Sequence, residues 1–168
     1  NRGVTSTYTY DALNRLTAIS YPTTSLNVTY AYDQPNGCAA SYPTGRLTKM
    51  TDSSGSTTYC YDRRGNVTMK TQVINGISLV TQYAYTVGDR LASLTYPSGA
   101  IVNYLPRDGA GRIQTVTWQA TASATPISVV SKASYYPFGP LNTLTFGNTR
   151  TLTKTYDQDY AISSIASS

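Results

Sequence analysis

The chain has 168 residues, with 13 Lys or Arg, 8 Asp, and no Glu or His, so its formal net charge is +5. Without histidine, Ser-His-Asp and Cys-His catalytic groups, histidine metal ligands and a histidine pH switch are excluded. The 16 tyrosines and the low charged fraction of 12% are typical of a strand-rich protein.

A short motif recurs along the chain. It begins with Tyr-x-Tyr-Asp, passes through a turn and ends with Arg-Leu-Thr or a close variant. The clear copies cover residues 8–17, 30–48, 59–68 and 83–92, and weaker ones follow near 104–113, 135–139 and 155–157. We place the second tyrosine of each copy, in chain order, at Tyr10, Tyr32, Tyr61, Tyr85, Tyr104, Tyr136 and Tyr156. The period is about twenty residues with insertions, which is typical of a repeat protein.

Each copy predicts a β-hairpin. Tyrosines two positions apart lie on one face of a strand, and the Asp after them suits the first position of a type I turn. Asn14 and Gly65 stand three residues after their Asp and tolerate positive φ, so we expect a three- to five-residue loop with a G1 bulge. Second turns are predicted at 21–24, 52–55 and 96–99, which makes the chain a long antiparallel meander.

The remaining segments show no convincing helix. The Ala-rich stretch 119–124 is interrupted by Thr and soon followed by Pro126, so it is predicted to be a loop or insertion. The final residues, 161–168, suit either a frayed strand or a linker. The predicted fold class is therefore all-β.

The Tyr-x-Tyr-Asp and Gly-Arg-Leu-Thr elements, in this order and spacing, resemble the YD repeats of Rhs proteins, of toxin-complex BC shells and of teneurins. The resemblance implies a β-sheet that spirals into a hollow shell around a C-terminal toxin. An Asp-Pro-x-Gly self-cleavage motif normally ends such a core, but Tyr136-Pro137-Phe138-Gly139 lacks the aspartate. We therefore expect residues 1–168 to be one YD-repeat region of six to seven hairpins, an interior fragment of a longer chain.

Three residue types invite sharper hypotheses. Regularly spaced tyrosines favour stacking on one another between neighbouring hairpins over stacking on sugars. Isolated aspartates favour turn capping over calcium binding or acid–base catalysis. Asp157 and Asp159 lie closer together, but two aspartates alone are weak evidence for either of these functions. Recurring arginines favour stacking on tyrosine or pairing with a turn aspartate over a phosphate-binding ladder. The aspartates are Asp11, Asp33 and Asp62, and the arginines are Arg15, Arg46, Arg90 and Arg112.

With only two cysteines, Cys38 and Cys60, and no histidine, a zinc site is not credible. The sequence does not show whether the two cysteines are joined or free. A disulfide and two half-buried free thiols fit the sequence equally well. Basic residues are scattered, with only Arg63 and Arg64 adjacent, so nucleic acid is not an expected partner. No apolar run is long enough to span a bilayer.

We assign no catalytic, cofactor-binding or metal-binding residue, and we expect no enzyme activity and no cofactor. The leading hypothesis is a structural segment of an Rhs-type toxin shell, secreted or at the cell surface. Its expected partners are neighbouring repeats of the same parent chain and the enclosed toxin polypeptide. Cut sheet edges would also promote oligomerisation. The alternative is an extracellular YD-repeat module for adhesion or carbohydrate binding, with a glycan or cell-surface partner.

Overall fold

The computed structural model describes residues 4–137 and 139–168. The first three residues lie outside that range, as does Phe138 of the predicted sixth copy. Two compact units divide the chain, Asn1–Gln82 and Tyr83–Ser168.

In the first unit, consecutive strands pair with one another in antiparallel order along the chain. A 3-10 turn, Thr24–Leu26, begins at the end of the second-turn segment predicted at 21–24. The sequence predicted no helix there, but the Asn27 side chain accepts a 2.8 Å hydrogen bond from the Tyr21 amide and closes the loop around it. The strands are β1 (Thr7–Tyr10), β2 (Leu16–Ser20), β3 (Val28–Tyr32), β4 (Leu47–Asp52), β5 (Gly55–Tyr61), β6 (Val67–Ile74) and β7 (Ile77–Tyr85), whose last three residues belong to the second unit.

The second unit repeats this arrangement, again with antiparallel pairing between strands that follow one another in sequence. The Ala-rich segment 119–124 lies in the connection between the third and fourth strands of this unit, as predicted. The final residues resolve into a strand rather than a linker. The strands are β8 (Leu91–Thr95), β9 (Ile101–Asn103), β10 (Val116–Gln119), β11 (Ile127–Tyr135), β12 (Leu141–Phe146), β13 (Thr151–Tyr156) and β14 (Ile162–Ser167).

The predicted all-β antiparallel meander is therefore confirmed. The predicted bulges are also present, since strand register shifts beside Tyr10, Tyr32 and Tyr61 where each copy enters its turn. Asn14 and Gly65 have φ of 59° and 96°, as their place in the motif predicts.

Little of the chain is deeply buried. Among the described residues, the buried side chains are small or polar: Cys38, Cys60, Ala92, Ala133, Thr48, Thr57 and Gln119. Strands β1 and β14 are exposed along their whole length. Stability must then depend strongly on strand hydrogen bonds and on contacts between successive turns, because no large apolar core supplies it.

Candidate functional site

The aspartate of each copy shapes its own turn. The Asp11 Oδ1 atom accepts the backbone N–H groups of Leu13 and Arg15 at 2.9 and 3.0 Å. These bonds, led by the one from the Arg15 amide, lower the pKa of Asp11. Asp62 and Asp108 accept backbone amides in the same way. The predicted turn-capping role is confirmed for Asp11 and Asp62, and Asp108 has the same role without having been predicted. Asp33, the third predicted residue, accepts the Gly45 amide at 2.6 Å.

The arginine that follows the turn links one copy to the next. The Arg15 Nε atom donates to Asp11 at 2.8 Å, and its Nη2 atom donates to Asp33 of the next copy at 2.7 Å. The guanidinium carbon also lies 4.4 Å from the centre of the Tyr32 ring. Hydrogen bonding from Arg15 lowers the pKa of Asp33, and Asp33 in turn raises the pKa of Arg15. The sequence-based interpretation of arginine as a partner for tyrosine and aspartate is confirmed here.

The same stacking recurs in later copies. Arg46 lies 5.6 Å from the ring centre of Tyr61, and Arg112 lies 4.6 Å from that of Tyr135. An arginine from one copy thus covers a tyrosine of the next, a cation–π arrangement in both units.

The hydroxyl of the second tyrosine reaches back to the preceding copy. In each case it donates to the main-chain carbonyl of the residue that directly follows the turn there. The pairs are Tyr32 with Leu16 at 2.9 Å, Tyr61 with Leu47 at 2.6 Å, Tyr135 with Ile113 at 2.7 Å and Tyr156 with Leu141 at 3.0 Å. Sequence reasoning missed this contact, because spacing along one copy carries no information about a carbonyl in another.

The expectation that tyrosines stack mainly on one another is wrong. Tyr136 and Tyr156 do form a close tyrosine pair, edge to face at 5.6 Å. Four other rings instead lie beside a guanidinium group, those of Tyr32, Tyr42, Tyr61 and Tyr135. The rings serve as a surface for arginine, and the hydroxyls serve as hydrogen-bond donors.

Two copies also differ from their sequence-based alignment. In the fifth copy the position before the turn aspartate belongs to Arg107, not to Tyr104, and its Nη2 atom donates to the Leu91 carbonyl at 2.6 Å. In the sixth copy Tyr135 makes the hydroxyl contact, and Tyr136 occupies the turn position of aspartate. A guanidinium can replace a phenol here because both present a donor at the end of a long side chain.

Glycine at the turn leaves room for the arginine of the preceding copy. A Cβ atom added to Gly65 would stand 2.7 Å from the Arg46 side chain, and one added to Gly111 would overlap the Arg90 side chain. Both glycines also have positive φ, 96° and 78°. Positive φ favours glycine at both positions, and the missing Cβ lets the flexible arginine side chain lie close to the turn.

A disulfide joins Cys38 to Cys60 and ties the 33–46 segment to strand β5. Beside it, the Tyr42 amide donates to the Tyr61 carbonyl at 3.0 Å, and the Tyr61 amide donates to the Ser41 hydroxyl at 2.9 Å. Of the two states left open by the sequence, the structure shows the disulfide.

None of these groups forms a candidate reaction centre. Within residues 4–137 and 139–168, no cluster of three or more Cys or Asp residues could hold a metal ion. Asp157 caps its own turn by accepting the amides of Asp159 and Ala161. No helix in that part of the chain is long and apolar enough to cross a membrane.

Acid is expected to weaken the turns. The pKa values of Asp11, Asp33, Asp62 and Asp108 are lowered in the folded chain, whereas an unfolded aspartate titrates near about 3.9. Their stabilising contribution is therefore complete above about pH 4 and is lost as the pH falls through the lower folded values. Urea unfolding from pH 7 down to pH 2 should show this loss below about pH 4.

The matched control is the double variant Asp11→Asn and Asp108→Asn. It should be less stable at pH 7 but lose less additional stability in acid, because two of the titrating groups are gone. An equal acid dependence in the variant and the parent would show that these turns do not cause it.

The repeat geometry agrees with the comparison to known proteins. The family model described as RHS Repeat matches residues 1–26 and 42–76. These two stretches carry RHS repeats. The family predicted from the YD motif is thereby confirmed, and the two matched stretches contain the Asp11 turn and the Asp62 turn.

Solved structures share the fold of this RHS-repeat chain. The crystal structure of TcdB2-TccC3 matches with a TM-score of 0.82 and 15% identity, covering 98% of this chain and 9% of that one. TcdB2-TccC3 without the hypervariable C-terminal region matches with a TM-score of 0.81, 15% identity and the same coverage. The Photorhabdus luminescens Tc holotoxin pore, with a TccC3 variant, matches with a TM-score of 0.66 and 13% identity, over 96% of this chain and 10% of that one.

The chain thus spans about a tenth of the length of these solved chains. At such low identity the likeness establishes the fold. A comparison with curated protein sequences found no significant match.

Proposed function

We propose that this chain is a structural segment of an Rhs-type toxin shell that encloses a C-terminal toxin polypeptide for delivery. The observation that carries the proposal is the match over 98% of the chain to TcdB2-TccC3, a solved structure of which another form lacks a hypervariable C-terminal region. On this proposal residues 1–168 form one YD-repeat region, are not catalytic, and act outside the cell or at its surface.

The contacts between copies support a role as a wall. Four copies are joined to the preceding copy by a tyrosine hydroxyl, and three of these four also by an arginine stacked on that tyrosine. Such links depend on neighbouring copies, so they can continue for as long as the repeats continue. A thin sheet with few deeply buried side chains suits a barrier better than a compact catalytic domain.

The exposed outer strands support continuation of the sheet. Among the described residues, β1 pairs with β2 alone and β14 pairs with β13 alone. Strand β14 contains no charged residue and no proline, the two devices that usually protect an edge from further pairing. Neighbouring repeats of the parent chain would satisfy both edges.

Limited proteolysis of the intact parent protein tests enclosure. We expect a polypeptide C-terminal to the repeats to resist protease while the repeats are folded, and to be digested once mild denaturant opens them. Digestion of that polypeptide at the same rate before and after opening would contradict enclosure. Protease resistance together with specific binding to a glycan array would instead favour the adhesion alternative.

A further inference from the structure

The segment between Asp33 and Arg46 is an insertion in the repeat. The turn aspartate and the following arginine are four positions apart in the first and fifth copies, Asp11 with Arg15 and Asp108 with Arg112. In the second copy they are separated by residues 34–45. The extra residues are not needed to close a hairpin, since the other copies close theirs without them.

The insertion is held in one conformation. The Cys38–Cys60 disulfide fixes it near its middle, and the Asn36 side chain donates to the buried Thr48 hydroxyl at 2.8 Å. The amide of Tyr42 pairs with the Tyr61 carbonyl at 3.0 Å. A surface loop ordered in advance loses little conformational entropy when a partner binds to it.

Arg46 lacks the carboxylate that the equivalent arginines Arg15 and Arg112 hold. Arg15 stacks on Tyr32 and binds two aspartates, and Arg112 stacks on its tyrosine and binds Asp108. Arg46 stacks on its tyrosine in the same way, but it donates to the Tyr42 carbonyl at 2.6 Å and forms no ion pair within the described chain. The first and fifth copies therefore show a chemical group that completes this arrangement, a carboxylate.

A second arginine, Arg63, contacts Tyr42, the residue of the insertion to which Arg46 donates. The Arg63 Nε atom donates to the Tyr42 hydroxyl at 3.1 Å, and its guanidinium carbon lies 5.3 Å from the ring centre. Arg63 is exposed and likewise has no ion pair among the described residues, and Tyr42 is 45% exposed. Arginine and tyrosine together are the residue types most enriched where binding energy concentrates in interfaces.

We propose that Tyr42, Arg46 and Arg63 form a docking surface for an acidic polypeptide segment, whose Asp or Glu carboxylates pair with the two guanidinium groups. The carboxylate specificity follows from the first and fifth copies, where Arg15 and Arg112, stacked on tyrosine in the same way, bind aspartate. The net charge of +5 adds a general attraction for such a partner. The proposal does not depend on the shell function, since the surface is complete within the first unit.

Binding of a fluorescein-labelled decaglutamate peptide to the 168-residue chain tests the surface by fluorescence anisotropy. We expect saturable binding that weakens with salt, and about a tenfold loss of affinity in Arg46→Gln/Arg63→Gln, roughly the effect of losing two partly exposed charge-assisted contacts. The exposed single variant Arg63→Gln should lose affinity with its amide-exchange protection unchanged, which separates binding from folding.

The control removes the same charge elsewhere, through Lys132→Gln/Arg150→Gln on exposed positions of the second unit. It should change affinity by less than about twofold, as screened distant charges do. Equal losses of affinity in both double variants would show that peptide binding depends on net charge alone, and would overturn the proposal. A complete lack of peptide binding would overturn it as well. So would tighter, arginine-dependent binding of a heparin oligosaccharide, which would assign the surface to sulfated glycans.

Discussion

Replacing both Cys38 and Cys60 with alanine is expected to lower the free energy of unfolding of the first unit by about 3 kcal/mol. The disulfide closes a loop with a sequence separation of 22 residues. Opening such a loop returns chain entropy to the unfolded state, and few buried apolar contacts are present to compensate. The loss should be largest around the 33–46 insertion, because this bond ties the insertion to β5.

Amide hydrogen exchange measures this effect locally. The Tyr42 and Tyr61 amides are hydrogen bonded beside the disulfide, and both should exchange much faster in the variant. Adding dithiothreitol should have a similar effect on the parent chain and none on the variant. Unchanged protection of these amides in both experiments would show that the hydrogen bonds alone hold the insertion.

The hairpins could be predicted from sequence because their determinants are local. An aspartate before the turn, a residue tolerant of positive φ three positions later and alternating strands all occur within ten residues. Asp11, Asn14 and the bulge beside Tyr10 accordingly lie as expected. The family could be recognised for the same reason, since these local elements recur in a fixed order.

Apart from the arginine contacts, the contacts between copies could not be predicted in the same way. The Tyr61 hydroxyl binds a carbonyl 14 residues away, and Cys38 meets Cys60 because the insertion folds onto β5. Both depend on how one hairpin lies beside another. Arg107 illustrates the limit best, because a motif search for tyrosine passes over an arginine that makes the equivalent contact. In the sequence, Arg107 directly precedes Asp108, as a tyrosine directly precedes the aspartate in other copies. This adjacency is the signal that could have revealed the contact.

Gly55→Ala is expected to destabilise the first unit by about 3 to 4 kcal/mol, combining overpacking with a backbone conformation unfavourable to alanine. Gly55 begins β5 with a φ of 148°, and an added Cβ would stand 1.8 Å from the carbonyl oxygen of Val73. That oxygen belongs to the backbone of the neighbouring strand β6, so it cannot move away without separating paired strands.

Gly76→Ala is the matched control, because Gly76 also has positive φ, 80°, but has no atom within 4 Å of an added Cβ. It should cost only about 1 to 2 kcal/mol, the penalty of the left-handed conformation itself. Hydrogen exchange of the β5 and β6 amides, together with urea unfolding, compares the two variants. A larger loss for Gly55→Ala implies that the close approach of β6 to β5 sets the cost. Equal losses would mean that the sheet relaxes around the added methyl group and that φ alone determines the preference for glycine.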